Sequence, residues 1–268
     1  MDPLFLKTSE SIPHIVTGIF NTNRWPGSLP RVGNRIKPLR IGILISGRGS
    51  NMSSIIQRQQ QPDCCHRTTV VISDRKDAAG LIIAKEYGIP SQAIQLPSHA
   101  DEIAEQIANE ITSDSELSIP LAPTSLAQRV AHEMAVDSCL DSHDVELVVL
   151  AGYMRIFTPW FIRRHLGHII NIHPSLLPDF PGAHAARDAL EADTSRTGCT
   201  VHHVDAGVDT GSIIAQASVP VENGDTEATL VSRIQTQEHI LYPAVLDSIA
   251  TRSPLTSLDE LIDLRLPS

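Results

Sequence analysis

Leu39-Arg40-Ile41-Gly42-Ile43-Leu44-Ile45-Ser46-Gly47-Arg48-Gly49-Ser50-Asn51 is the stretch from which the fold can be read. It begins as an isoleucine-rich run broken only by Arg40 and Gly42, the composition of a strand buried on both faces. Gly47, Gly49 and Ser50 follow, so the chain turns sharply and can open a helix near Ser50. Strand, glycine turn and helix form the repeating unit of α/β sheets. The start of such a helix carries unpaired N–H groups and the positive end of the helix dipole, and Gly47 and Gly49 let a ligand reach the backbone. A phosphate suits that place. Tight packing alone is the competing reading of the same glycines.

Two known loop types can be weighed against this stretch. It is not a nucleoside-triphosphate loop, because no Gly-Lys-Ser/Thr follows. A dinucleotide loop is a closer rival: residues 70–74 read as a second strand ending in Asp74, an acid that could hold a ribose or merely cap the strand end. Met52, however, stands where that fingerprint wants its third glycine.

Working outward, the spacing predicts a helix over residues 78–87, closed by Gly88 and Pro90, and a strand over 92–96. Ile103, Ile107 and Ile111 recur every four residues, as do Leu126, Val130 and Met134, so each set marks the apolar face of a helix. Residues 112–124, rich in serine and proline, read as an inserted surface loop between them. A strand over 145–152 and a helix over 158–165, with Pro159 in its first turn, come next. The apolar run 166–170 reads as a buried strand that delivers Asn171-Ile172-His173-Pro174-Ser175-Leu176-Leu177-Pro178 at its end. A short helix over 187–191, strands over 199–204 and 212–221, and a long helix over 226–249 complete the pattern. The expected fold is α/β: a doubly wound, mostly parallel sheet with helices on both faces. Residues 1–38 are expected as an irregular arm, 39–250 as the domain and 251–268 as a short tail.

Composition narrows the partners. With 21 basic against 31 acidic residues the net charge is −10, which disfavours nucleic acid or an anionic membrane as the main partner and leaves room for a small anion in a local pocket. No run approaches the ~20 apolar residues of a membrane span, and the opening Met1-Asp2-Pro3 lacks the charge pattern of a signal peptide, so a cytoplasmic protein, monomer or homodimer, is expected. Cys64, Cys65, Cys139 and Cys199 show no paired metal-ligand spacing and read as reduced thiols. Twelve histidines invite a metal reading, but none of them falls in an HExxH or comparable cluster, and no metal is expected.

The chemistry concentrates at Asn171 and His173. Two apart on a strand end, their side chains share a face and can act on one ligand atom. An asparagine amide is a neutral donor for a developing oxyanion, and a histidine can donate to that oxygen or pass a proton. Ser175 lacks the Gly-x-Ser-x-Gly elbow of a nucleophile, so direct attack by a substrate group is favoured over a covalent intermediate. Asp209, in the acid- and glycine-rich turn 205–211, reads as either a capping acid or the carboxylate partner of a histidine. Gln235 and Glu238 share a face of the last helix, where a carboxylate could hold an amine or simply be solvated.

Ile45-Ser46-Gly47-Arg48-Gly49-Ser50-Asn51, Leu150-Ala151-Gly152-Tyr153-Met154-Arg155-Ile156, the Asn171 to Pro178 segment, the turn 205–211 and Arg233-Ile234-Gln235-Thr236-Gln237-Glu238-His239 occur in an order that resembles the folate-dependent formyltransferase family. The resemblance spans residues 39–247; Asn-Ile-His-Pro-Ser marks the wider family, and Gln-Thr-Gln-Glu-His its glycinamide ribonucleotide branch. It implies formyl transfer from 10-formyltetrahydrofolate, as co-substrate, to the amine of glycinamide ribonucleotide in purine synthesis. Asn171, His173 and Asp209 would be the catalytic set. Gly49, Ser50 and Asn51 would hold the phosphate, with Gln235, Thr236, Gln237 and Glu238 at the ribose and glycinamide. Met154, Arg155, Ile156 and Phe157, together with Asn171, Asp205, Ala206, Gly207, Val208 and Asp209, would line the folate pocket. Two departures stand out: Asp74 replaces the family's asparagine, and residues 97–110 lack an arginine that relatives place there to reach the folate. A formyltetrahydrofolate hydrolase, an NAD-dependent oxidoreductase and a silent binding protein are the alternatives.

Overall fold

The computed structural model describes residues 25–113 and 123–255; the remainder of the arm, insertion and tail expected from sequence lies outside the described residues. In chain order the elements are β1 (Leu39–Ile45), α1 (Ser50–Arg58), β2 (His66–Ser73), α2 (Ala79–Glu86), β3 (Ser91–Ala93), α3 (Glu102–Ser113), α4 (Pro123–Ser142) and β4 (Leu147–Leu150). Then follow α5 (Pro159–Arg164), β5 (Ile169–His173), α6 (Ala185–Glu191), β6 (Arg196–His203), β7 (Ile213–Pro220) and α7 (Glu227–Thr251). The strands form one sheet in the order β3-β2-β1-β4-β5-β6-β7. The pairs from β3 to β5 are parallel, while β6 runs antiparallel to both β5 and β7.

The sheet is buried on both faces, which is why β1 reads as a continuous apolar run. Ile41, Ile43 and Ile45 of β1 pack with Met52, Ile55 and Ile56 of α1 and Leu230, Ile234 and Leu241 of α7. Leu44, one residue out of phase, joins Val136 and Leu140 of α4 and Phe161 of α5 on the other face. Gly42 lets α4 come close: a Cβ there would lie 2.6 Å from Leu140 Cδ2.

Three expectations shift. Leu166 and Gly167 belong to a turn rather than to a strand, because Gly167 has φ +78 and a Cβ on it would lie 1.7 Å from the Pro26 carbonyl oxygen. β5 instead runs on through His173, so Asn171 and His173 sit within the strand, fixed by its ladder. β3 covers three residues, as suits a short edge strand. On α3 the inward face is Ala104, Ala108 and Ile111, which pack on Leu126, Ala127 and Val130 of α4, while Ile103 is exposed. The small residues at that contact let the two helices approach closely, which outweighs the larger side chain at Ile103.

The described part of the arm is pinned to the domain. Arg31 forms two hydrogen bonds to the Glu146 carboxylate, and Gly33 N–H donates to the Ala250 carbonyl. Trp25 meets the His203 ring edge-on at 4.2 Å.

Candidate active site

The carboxyl ends of β1, β2, β4 and β5 open on one edge of the sheet, where ligands gather in α/β folds. β1 delivers the glycine turn. Gly49 takes a left-handed conformation, φ +75, as the residue before α1, and its Cα side faces Gly80 of α2. The Gly80 N–H donates to the Gly47 carbonyl at 3.1 Å, so α2 holds the turn in place. Neither Gly49 nor Gly80 has room for a side chain: a Cβ on Gly49 would lie 3.0 Å from Gly80 Cα, and one on Gly80 2.4 Å from Ile45 Cδ1.

From the far side α7 brings Glu238 against this turn. Asn51 Nδ2 donates to Glu238 Oε2 at 2.8 Å. Glu238 is buried, and burial raises its pKa although the Asn51 amide pulls the other way. Gln237 is also buried, whereas Thr236 is exposed and spends its hydroxyl on the Ser232 carbonyl. Gln235 is half-buried. Arg233 is held by Asp225, Glu222 and the Pro220 carbonyl, an arrangement that braces the start of α7. Tyr242, wholly buried, donates to the Leu150 and Ile170 carbonyls and so ties α7 to β4 and β5 just below the site.

At the end of β5 the central cluster is built from four side chains. His173 Nε2 lies 2.9 Å from the Phe180 carbonyl, and His173 Nδ1 lies 3.3 Å from Asp209 Oδ2. Both ring nitrogens therefore face oxygen acceptors, an arrangement that accommodates a proton on each. The same Asp209 oxygen accepts the Gly182 N–H at 2.8 Å, which fixes the carboxylate. Asp209 holds φ +55, a left-handed conformation uncommon outside glycine.

His202 completes the cluster. Adjacent residues of a strand point to opposite faces, and here His202 turns to the site while His203 turns to Trp25. His202 Nδ1 lies 2.7 Å from the His203 carbonyl and must carry its proton there, so in the neutral ring Nε2 is an acceptor. Asn171 Nδ2 fills it at 3.1 Å. Burial lowers the His202 pKa and keeps the ring neutral. His202 thus orients the Asn171 amide and leaves its second N–H for another acceptor. The register of β5 with β6 could have exposed this residue, since Asn171 pairs directly with His202 across the ladder.

Ser175 is buried and donates to the Asp179 carbonyl, which removes it as a nucleophile. Thr200 Oγ1 donates to the Ser175 carbonyl and accepts from the Leu177 N–H, stapling the loop after β5 to β6.

Beside the cluster the segment after β4 presents Met154 at 73% exposure and Ile156 at 52%, and Val208 of the opposing turn is 48% exposed. Exposed apolar side chains on both walls suit a flat, largely apolar ligand. Phe157, by contrast, is buried and stacks between Tyr153 and Phe161. Arg155 donates to Asp74 Oδ2 at 2.9 Å, so the acid in place of the family's asparagine is paired with a guanidinium. Residues 97–110 hold no arginine, but α4 brings one beside the apolar wall: Arg129 Nη1 donates to the Ile156 carbonyl at 3.1 Å. In the turn 205–211 Asp205 Oδ1 accepts from Gly207 N–H and Thr210 Oγ1, which shapes the loop carrying Ala206, Val208 and Asp209.

Among the described residues, Cys64, His66 and Asp247 form a cluster spaced for a metal. Its hydrogen bonds argue otherwise. Gln59 Oε1 accepts the Thr68 N–H, so its Nε2 donates to His66 Nδ1 and the ring proton lies on Nε2, the atom a metal would need. Arg58 already occupies Asp247, and burial pushes the Cys64 thiol up to about 11.

The profile of the formyl transferase family matches residues 39–246. The trifunctional purine biosynthetic protein adenosine-3 of Homo sapiens is 37% identical over 215 residues, 80% of this chain but 19% of that protein. The chain therefore spans about a fifth of the length of that curated relative. The phosphoribosylglycinamide formyltransferase of Escherichia coli is 37% identical over 212 residues, 79% of this chain and 87% of the relative. Glycinamide ribonucleotide transformylase 1 from Symbiobacterium toebii superposes with a TM-score of 0.67 at 38% identity, covering 80% of this chain and 88% of the other. No helix among the described residues is long and apolar enough to cross a membrane. With the matched span covering the whole sheet and every element that frames the site, the chain belongs to the formyl transferase family.

Proposed function

We propose that the chain transfers the formyl group of 10-formyltetrahydrofolate to the amine of glycinamide ribonucleotide, a step of purine synthesis. The observation that carries this reading is that the Asn171, His173 and Asp209 cluster shares one edge of the sheet with two unlike walls. One wall is the Gly49 to Asn51 turn joined to buried Glu238; the other is exposed Met154 and Ile156. The first wall suits a phosphorylated amine: helix N–H groups for the phosphate and a carboxylate for the ammonium end. The second suits a pterin, with Arg129 at its edge for the acidic tail of the folate.

The reaction needs no protein nucleophile. The amine nitrogen attacks the formyl carbon, a carbon–nitrogen bond forms and the carbonyl electrons move onto oxygen. The free N–H of Asn171 and a proton on His173 stabilise that oxyanion, the substrate oxygen competing with the Phe180 carbonyl for His173 Nε2. Collapse breaks the bond to the folate nitrogen. The proton lost by the attacking amine ends on that leaving nitrogen, with Asp209 holding the His173 proton in place meanwhile.

The test is incubation with 10-formyltetrahydrofolate, with and without glycinamide ribonucleotide. Deformylation that depends on the acceptor is expected. Acceptor-independent deformylation would instead make the chain a hydrolase, and none in either arm would leave a silent binding protein.

A further inference from the structure

The apolar wall has no regular secondary structure of its own: residues 153–158 run between β4 and α5 as an irregular segment. Such a segment is normally mobile, yet side chains from elsewhere grip it at almost every residue. Tyr153 Oη pairs with His132 Nε2 at 2.8 Å. The Met154 N–H donates to Ser46 Oγ at 2.9 Å, Arg155 is held by Asp74, and the Ile156 carbonyl by Arg129. The Thr158 N–H donates to Glu133 Oε1 at 2.7 Å, and its hydroxyl donates to Glu133 Oε2.

Three of these grips come from one helix. Arg129, His132 and Glu133 lie three and four apart on α4, so they share a face, and that face meets residues 153–158 along their length. His132 and Glu133 are each 1% exposed, and Thr158 is equally buried. A carboxylate buried that deeply is costly unless its hydrogen bonds matter to the structure around it. Here they hold Thr158, the residue before Pro159 and the start of α5, and so end the segment at a fixed point. Between the anchors, Met154 and Ile156 are left projecting outward.

We propose that α4 is a splint for the folate wall: His132 and Glu133 are positioning residues that preorganise Met154 and Ile156 for the pterin without touching it. This inference rests on the proposed transferase reading. It assigns α4 a role in folate affinity and none in acceptor binding, because the acceptor wall is built from α1, α2 and α7.

The experiment measures kcat and KM for each substrate in the full chain carrying Glu133→Leu, Glu133→Gln or Tyr153→Phe, with amide hydrogen exchange over residues 153–158. Loss of a grip should raise the folate KM about threefold to tenfold in Glu133→Leu and Tyr153→Phe, the range expected for one hydrogen bond, with the acceptor KM within about twofold. Exchange over the segment should quicken in the same variants. Glu133→Gln keeps an acceptor for the Thr158 N–H and should restore the folate KM. Tyr153→Phe, which keeps the ring packing, covers the case in which Glu133→Leu fails to fold. Equal rises in both KM values, or faster exchange with an unchanged folate KM, would overturn the splint. A wild-type chain with no acceptor-dependent turnover would overturn the transferase reading and this inference with it.

Discussion

Replacing Gly49 by alanine tests whether the turn after β1 is built for an anion. Gly49 sits at φ +75, where an L side chain costs about 1–2 kcal/mol. The new methyl would lie 3.0 Å from Gly80 Cα, a backbone atom that cannot rotate away, so α2 must retreat by a few tenths of an ångström. That movement stretches the bond from the Gly80 N–H to the Gly47 carbonyl, now 3.1 Å. Together these come to about 2 kcal/mol, which for a domain of this size lowers the midpoint of thermal unfolding by about 4–8 °C. The shift also turns the α1 amides away from the phosphate. Losing one charge-assisted hydrogen bond raises the KM for glycinamide ribonucleotide at least about tenfold and should leave the folate KM within about twofold. Differential scanning fluorimetry and steady-state kinetics read both. Gly47→Ala is the stability control, since a Cβ there meets no atom within 4 Å. A Gly49→Ala chain as stable as wild type, or one that loses both substrates equally, would refute the reasoning.

Three further outcomes follow from the cluster and its surroundings. His202→Leu removes the acceptor that orients Asn171, and kcat should fall about tenfold to a hundredfold with both KM values nearly unchanged; an unaltered kcat would show that Asn171 needs no such partner. Glu133, whose pKa burial lifts to about 8, binds its proton more tightly folded than unfolded. Its contribution to stability is therefore complete below about pH 4.5 and is lost as pH rises toward 8, on the order of a few kcal/mol. Chemical denaturation of Glu133→Gln across that range should show a gain over wild type that grows with pH and levels off above 8; a pH-independent difference would contradict the assignment. Glu238→Gln keeps an acceptor for Asn51 while removing a buried charge, so the fold should hold or gain stability at neutral pH as acceptor use falls. Unchanged kinetics with the acceptor would remove Glu238 from the site.

The sheet was legible because burial on both faces writes strands as unbroken apolar runs. β4 and residues 70–72 at the end of β2 stand out for that reason, as does β1 despite Arg40 and Gly42, and Gly47 and Gly49 mark the turn where the sheet meets a helix. Asn171 and His173 could be singled out because an amide and an imidazole two apart in an extended segment share a face, whereas Asp209 joins them only through the family resemblance. What sequence could not supply was the third dimension of the ladder. Asn171 and His202 are adjacent because β5 and β6 pair antiparallel, a register set by contacts 31 residues apart. Arg129 escapes sequence reading for a related reason, since only the packing of α4 brings it beside Ile156, 27 residues further along the chain. The charge of Asp74 looked unfavourable in isolation. Arg155, two strands away in the sheet, answers it.

The most direct measurement follows the formyl carbon itself. With 10-formyltetrahydrofolate carrying a 13C formyl label and glycinamide ribonucleotide present, wild-type chain should move the label into the amide of the ribonucleotide, as read by NMR. Free formate should not accumulate, and His173→Ala should move no label while keeping the wild-type circular dichroism spectrum. Label appearing as formate, or transferred at the wild-type rate by a folded His173→Ala chain, would contradict an oxyanion site at the end of β5.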